Sequence, residues 1–331
     1  MESVSQKKRI VWIDVLKGVM ILFVLLSHSH APDIYIRFFA PFFITMFFFA
    51  SGYTFSLKKS FGEFLLGKVK HLLIPLVLMG GIKLTIACVV NHYSFASRIK
   101  GLLLQISGKN DDLWFIGCIF TAFLIMYPIV RFCNTDKKGY TWRILLSAVV
   151  VATLGWVDTL VFGIKFPWQL ETAAIMTFYM SAGFLYRKNE AIIVEKIEKK
   201  PVIALLSAVA YIVLLVLFEN EADIHKGNYT YPFVFIIMSI LAILPIIVLI
   251  KKLCTFNLKS EKFFCFMGKN TLFYYAFEGY VIQTFYKVCE KLDWSNAYIL
   301  SFLCVAAIVI GLLPFVLLVN RFAPWLVGGK K

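Results

Sequence analysis

Long apolar stretches, repeated along the chain and separated by short basic segments, fix the solvent in which this sequence folds. Ten of them, at about residues 10–28, 38–56, 72–90, 113–130, 144–161, 169–186, 201–218, 233–250, 271–288 and 298–319, approach the length needed to cross a bilayer. A spanning helix takes about 20 apolar residues. Hydrophobic residues make up 60 % of the chain and charged ones 16 %, against about 45–50 % and about 25 % in ordinary globular domains. One soluble core cannot bury that excess. The stretches lack the period-2 alternation of barrel strands and are too long for them. The sequence therefore predicts an all-α, polytopic integral membrane bundle of about ten transmembrane helices, a single membrane-embedded domain over residues 1–331. Ten spans use about 200 positions, and the remaining loops and tails are too short for a separate soluble domain of about 50 residues or more.

The distribution of Lys and Arg orients the bundle. Of 34 such residues, 24 fall at the termini and in the loops that share their side, 8 fall in the opposite loops, and Lys17 and Lys83 lie within spans. The positive-inside rule then places both termini in the cytoplasm. The net charge of +15 does not indicate a nucleic-acid partner, because the basic residues lie in short runs with no dense stripe or aromatic interleaving. The seven Cys have no metal-site or disulfide spacing, and no signal-peptide cleavage pattern precedes the first span. Residues 187–200 and 57–71 read as basic amphipathic surface segments that contact membrane lipids. The first of these divides the bundle into six plus four helices. Residues 91–112 and 219–232 are the long loops of the outer side; Asn228-Tyr229-Thr230 fits a glycosylation triplet, a pattern common by chance.

Ionisable residues inside a span cost about 2.5–3.5 kcal/mol each at the helix centre, so each needs a reason. The first helix has the most. Asp14 and Lys17 are three apart and can pair on one face. Lys17 and His28 are eleven apart, close to three turns, and so project to the same side about 16 Å apart. An interfacial ion pair that fixes helix depth explains Asp14 and Lys17 as well as a functional role does. A hydrogen-bonded interfacial histidine is the plain reading of His28. His30, beyond the helix end and ahead of Pro32, reads as a bystander.

The segment RIVWIDVLKGVMILFVLLSH resembles the opening of the acyltransferase-3 family of bacterial integral membrane acyltransferases, with Asp14, Lys17, Gly18 and His28 on the family's positions. The likeness continues through PFFITMFFFASGYTF with Ser51, Gly52 and Tyr53, and FLLGKVKHLLIP with Lys68, Lys70 and His71 ahead of Pro75. DLWFIGCIF with Trp114 and Phe115, FPWQLETAAIMTFYMSAGFLYRK ending near Gly183, and MGKNTLFYYAFE from Met267 to Glu278 follow in order. Lys17, Lys68 and His71 stand where members often carry Arg, which loses the bidentate fork for phosphate. Glu278 stands where many carry His, which puts a second imidazole in question.

The resemblance implies transfer of an acyl group, usually acetyl from acetyl-CoA, to a hydroxyl of a carbohydrate or glycan acceptor at or beyond the outer face of the cell membrane. A partner that builds the glycan, or a second copy of the chain, is compatible with it. On that basis Lys68, Lys70 and His71 are expected to hold donor phosphates as point charges, with Ser51 and Tyr53 lining the donor entrance. His28 is the expected general base or a transient acyl carrier, with Asp14 charge-balancing Lys17. Trp114 and Phe115 read either as an aromatic belt or as a sugar-stacking platform. Glu171 either bonds the acceptor or caps its helix, and Glu278 is placed with the acceptor residues. No metal is expected. A transporter or flippase for a lipid-linked or polymeric saccharide is the competing class, and a structural scaffold a third.

Overall fold

Backbone groups in hydrocarbon have no water to bond, so apolar stretches satisfy them internally as helices. The computed structural model describes residues 10–90, 92–133, 135–256 and 259–324. The basic start of the chain, Met1–Arg9, and the last two lysines lie outside the described residues. The helices are α1 (Val11–His28), α2 (Asp33–Tyr53), α3 (Phe61–Lys68), α4 (Ile74–Val89), α5 (Phe95–Leu104), α6 (Trp114–Cys133) and α7 (Tyr140–Val157). They continue with α8 (Leu170–Lys188), α9 (Glu190–Ile193), α10 (Pro201–Leu217), α11 (Pro232–Thr255), α12 (Lys259–Lys269), α13 (Thr271–Lys291) and α14 (Ala297–Phe322). A two-residue-per-strand hairpin, β1 (Ala222–Asp223) and β2 (Asn228–Tyr229), sits between α10 and α11.

Each of the ten apolar stretches lies in a helix, but among the described residues seven helical segments meet the length and apolarity needed to cross a membrane, or eight if a bent pair counts as one span. The three expected spans outside the seven have physical reasons. Helices α8 and α13 carry charge (Glu171, Arg187 and Lys188; Glu278, Lys287, Glu290 and Lys291) and bury most of one face in the bundle. Helix α10 has 17 residues and turns by 80° at its junction with the 190–198 segment.

Two loop readings change. Residues 91–112 hold helix α5, which ends on left-handed Gln105. The amphipathic segment around Phe61 starts at a capping box made by Ser60 and Glu63. It then runs through a π-helical turn, Val69–Leu73, straight into α4 instead of stopping before Pro75. Pro75 has no N–H to return to the previous turn, and the wider turn absorbs that loss. The connector at 187–200 is helical, as α9 followed by a π-helical turn over Val194–Glu198.

Small residues bring two helix pairs to backbone contact. A Cβ on Gly18 of α1 would stand 1.9 Å from the Phe264 carbonyl oxygen of α12, and one on Gly268 of α12 would stand 1.9 Å from that of Asp14. The same reciprocity joins α2 and α8: a Cβ on Gly52 would stand 1.7 Å from the Met180 carbonyl oxygen, and one on Gly183 would stand 2.0 Å from that of Phe49. In a bilayer, where lipid tails are as apolar as side chains, such close packing drives helix association. Gly67 of α3 has nothing within 4 Å of the same added atom. Gly183→Ala should therefore lower stability by about 1–3 kcal/mol through overpacking, while Gly67→Ala should leave it unchanged or gain up to about 1 kcal/mol from helix propensity. Thermal unfolding of the detergent-solubilised variants checks the contrast.

Candidate active site

His28 closes the last turn of α1, and α13 passes beside it. Its Nδ1 bonds Oε1 of Glu278, a residue only 5 % exposed. The end of α1 is held in place by Ser29, whose carbonyl accepts from the Tyr286 hydroxyl of α13 at 2.6 Å and whose own hydroxyl donates to the Leu25 carbonyl at 2.6 Å. A carboxylate on one ring nitrogen keeps the proton there and leaves the other nitrogen, Nε2, as the base. The second carboxylate oxygen, Oε2 of Glu278, is buried with no hydrogen-bond partner. An acceptor left unpaired in that way costs about 1–3 kcal/mol.

Although surrounded by helices, the His28 side chain keeps 46 % of its surface accessible, because two cavities meet on it. The first, of about 320 Å³, is mainly apolar and runs along α1 and α2 past Ile21, Val24, Phe43 and Phe47. The second, of about 750 Å³, is polar, with Lys83, Arg98, Asp112 and Glu278 among its walls. His28, Trp114, His225 and Tyr275 border both. The hairpin covers the junction, with Ile224 buried and Ala222 to Lys226 lining the first cavity. Seven residues of helix separate Ile21 from His28, a depth of about 10 Å.

Trp114 and Phe115 do reach this junction. The Trp114 ring stacks on His225 with centroids 4.9 Å apart, and Phe115 packs on Phe47, Phe48 and Tyr275. Glu278 reaches it too, as the partner of His28. Glu171 does not: it is buried at the start of α8, where Oε2 accepts from the Phe166 backbone N–H at 3.2 Å, and it lines neither cavity.

The residues expected at the donor entrance lie elsewhere. Asp14 is buried and Lys17 half-buried on the first half of α1, and neither borders the two cavities. Lys68 lies over the Phe123 ring, 3.1 Å from its centroid, while Lys70 and His71 are exposed on the π-helical turn. Ser51 is buried, its carbonyl accepting from Thr54. Tyr53 donates to Glu190 at 2.6 Å and its carbonyl accepts from Arg187 at 3.0 Å. Glu190 in turn pairs with Lys251 at 2.8 Å, and Lys251 also reaches Tyr186 and Glu198. With the edge of Trp12 on Tyr53 at 4.8 Å, this cluster clamps α1, α2, α8, α9 and α11 together. Tyr53 is thus committed to a structural clamp, and no shared cavity joins the Lys68 region to His28 among the cavities bordered by His28.

Sequence reasoning missed His225 and Asp111. His225 sits on the hairpin turn, with Nε2 bonded to Asp111, so the site has a second carboxylate-held imidazole. It comes from a loop, and not from the position on α13 that Glu278 occupies. The only sequence signal is the length of the two loops, 91–112 and 219–232, that carry them.

Among the described residues no cluster of His, Cys, Asp and Glu is arranged to hold a metal. No curated protein and no solved structure matches the chain. A family profile does, over residues 10–317, and its description is an acyltransferase domain. That stretch takes in the His28–Glu278 pair and the lining of both cavities, and among the described residues the chain has seven helical segments fit to cross a membrane. The chain is a multi-pass membrane protein and belongs to the acyltransferase-3 family.

Proposed function

We propose that the protein transfers an acyl group, acetyl from acetyl-CoA, to a hydroxyl of a carbohydrate acceptor at the outer face of the cell membrane. In this reading ten helices span the bilayer, both termini are cytoplasmic, and His28 and the hairpin lie toward the outside. The observation that carries it is the place of the His28–Glu278 pair at the meeting of an apolar cavity and a polar one. Ester formation at a hydroxyl needs a base beside the oxygen and a dry place for the acyl carbonyl. His28 Nε2 takes the hydroxyl proton as the oxygen attacks the thioester carbon, and the same nitrogen returns that proton to the departing sulfur. Glu278 holds Nδ1–H, fixes the tautomer and balances the imidazolium that forms. The polar cavity, with Lys83 and Arg98 paired to Asp112 at 3.3 and 4.0 Å, supports a hydroxyl-rich acceptor. Trp114, with His225 stacked on its ring, contributes its remaining edge to the wall of both cavities.

His28→Ala should reduce turnover by about 10²–10⁴-fold while membrane insertion and thermal unfolding stay as in the wild type. Acetyl-CoA consumption in proteoliposomes with a glycoside acceptor measures this, and retained activity would remove His28 from the chemistry. Glu278→Gln keeps the size of the side chain but loses the charge, and it should lower kcat much more than it raises either KM.

Donor phosphates are assigned to Lys68, Lys70 and His71 as before. Lys68→Ala combined with Lys70→Ala should raise the apparent KM for acetyl-CoA more than that for the acceptor. The reverse pattern moves the donor site away from that turn.

A further inference from the structure

We infer that His225 is an acceptor-binding residue: its Nδ1 accepts a hydrogen bond from a second hydroxyl of the acceptor while His28 handles the reacting one. The inference rests on the acyl-transfer reading above and narrows the acceptor to molecules with more than one hydroxyl near the reacting centre.

The geometry repeats that of His28. His225 gives one ring nitrogen, Nε2, to the buried carboxylate of Asp111, and its other nitrogen makes no hydrogen bond among the described residues. Asp111 is itself held firmly. Its Oδ1 accepts from the Gly108 backbone N–H at 3.2 Å, and its Oδ2 accepts from the Gln169 side-chain amide at 3.1 Å. Gln169 is fully buried, and both it and Trp168 have left-handed backbones, φ 54° and 57°. Such conformations cost about 1–3 kcal/mol each in non-glycine residues and persist where the surroundings enforce them. Here the Trp168 indole donates to the Leu103 carbonyl at 2.6 Å, and the Trp168 carbonyl accepts from Thr121 at 3.3 Å. A strained corner therefore presents an amide to the carboxylate that orients the imidazole.

The ring borders both cavities, as His28 does, and lies flat on Trp114. Anchoring the hairpin does not require it. The Ser107 hydroxyl already donates to the His225 carbonyl at 3.0 Å, Lys165 donates to the Lys226 carbonyl at 2.8 Å, and Ile224 is 3 % exposed. Asp111 fixes the proton on Nε2, so Nδ1 presents a lone pair. Two such lone pairs at one junction suit a polyhydroxylated acceptor.

Two substitutions separate binding from anchoring. His225→Gln keeps an amide that can reach Asp111 but has no acceptor atom at the Nδ1 place. His225→Asn puts an oxygen near Nδ1 but falls short of Asp111. Thiol release from acetyl-CoA is followed in proteoliposomes against rising concentrations of methyl glucoside, galactoside and mannoside. For His225→Gln the expected result is a tenfold or greater rise in glycoside KM, with unchanged KM for acetyl-CoA and unchanged thermal unfolding, and a smaller rise for His225→Asn. A Gln variant with the wild-type glycoside KM, or an Asn variant that is the worse of the two, overturns the assignment. If the wild type acylates none of the glycosides, the acyl-transfer reading with these acceptors fails, and diethyl pyrocarbonate then decides His225 without an acceptor. Peptide mass spectrometry should find His225 carbethoxylated alongside His28; an unmodified His225 beside a modified His28 means that its lone pair is blocked and refutes the inference.

Discussion

Two glycine-made crossings set the positions of the polar groups far from them. Gly18 and Gly268 lock α1 to α12, and α12 leads through the single residue Asn270 into α13. The rotation of α13 is thereby fixed near its start, and Glu278 is delivered to His28 some ten residues further along. Gly52 and Gly183 lock α2 to α8. The first residue before α8 is Gln169, which reaches Asp111. By helix rise the first crossing sits about 15 Å from Glu278 and the second about 21 Å from Gln169. Without a hydrophobic force between helices in lipid, this close backbone packing is what sets register and rotation.

The chemistry that results is duplicated. Two buried carboxylates, one on a helix and one in a loop, each hold one nitrogen of an imidazole and leave the other facing shared space. The pairing does two things at once. It satisfies carboxyl groups that would otherwise be costly to bury, and it holds two imidazoles in fixed orientations as hydrogen-bond acceptors. The second oxygen of Glu278 is buried without a hydrogen-bond partner.

Much of the helical framework was legible in the sequence, because hydropathy reports the solvent directly. The helix over residues 10–28, with His28 at its end, and the motif glycines Gly18, Gly52 and Gly183 could be placed from local pattern and resemblance, whereas the way the glycines pair across helices could not. Three further features could not. The hydropathy of α8 and α13 reflects their burial against other helices and says little about lipid, so a composition criterion alone separates them from the other spans. Tyr53 looked available because nothing near it in the chain reveals Glu190, 137 residues away. His225 and Asp111 are 114 residues apart in two loops that carry no periodicity, and they become a pair only once the hairpin folds over α6. The eleven-residue spacing on α1 correctly described a helix face, but a shared face did not make a shared cavity, since Lys17 borders neither space that His28 does.

The clamp around Lys251 has a directional consequence. Tyr53 and Tyr186 are nearly buried, Trp12 lies against both, and the ion pairs to Glu190 and Glu198 tie the connector to α11. Removing one partner of such a partly buried set leaves charge uncompensated, a loss of up to about 3–5 kcal/mol where the pair is fully desolvated. A polymer threading the bundle lengthwise would have to part that set. The cavities around His28 therefore suit an acceptor that enters and leaves by one mouth, more a well than a conduit.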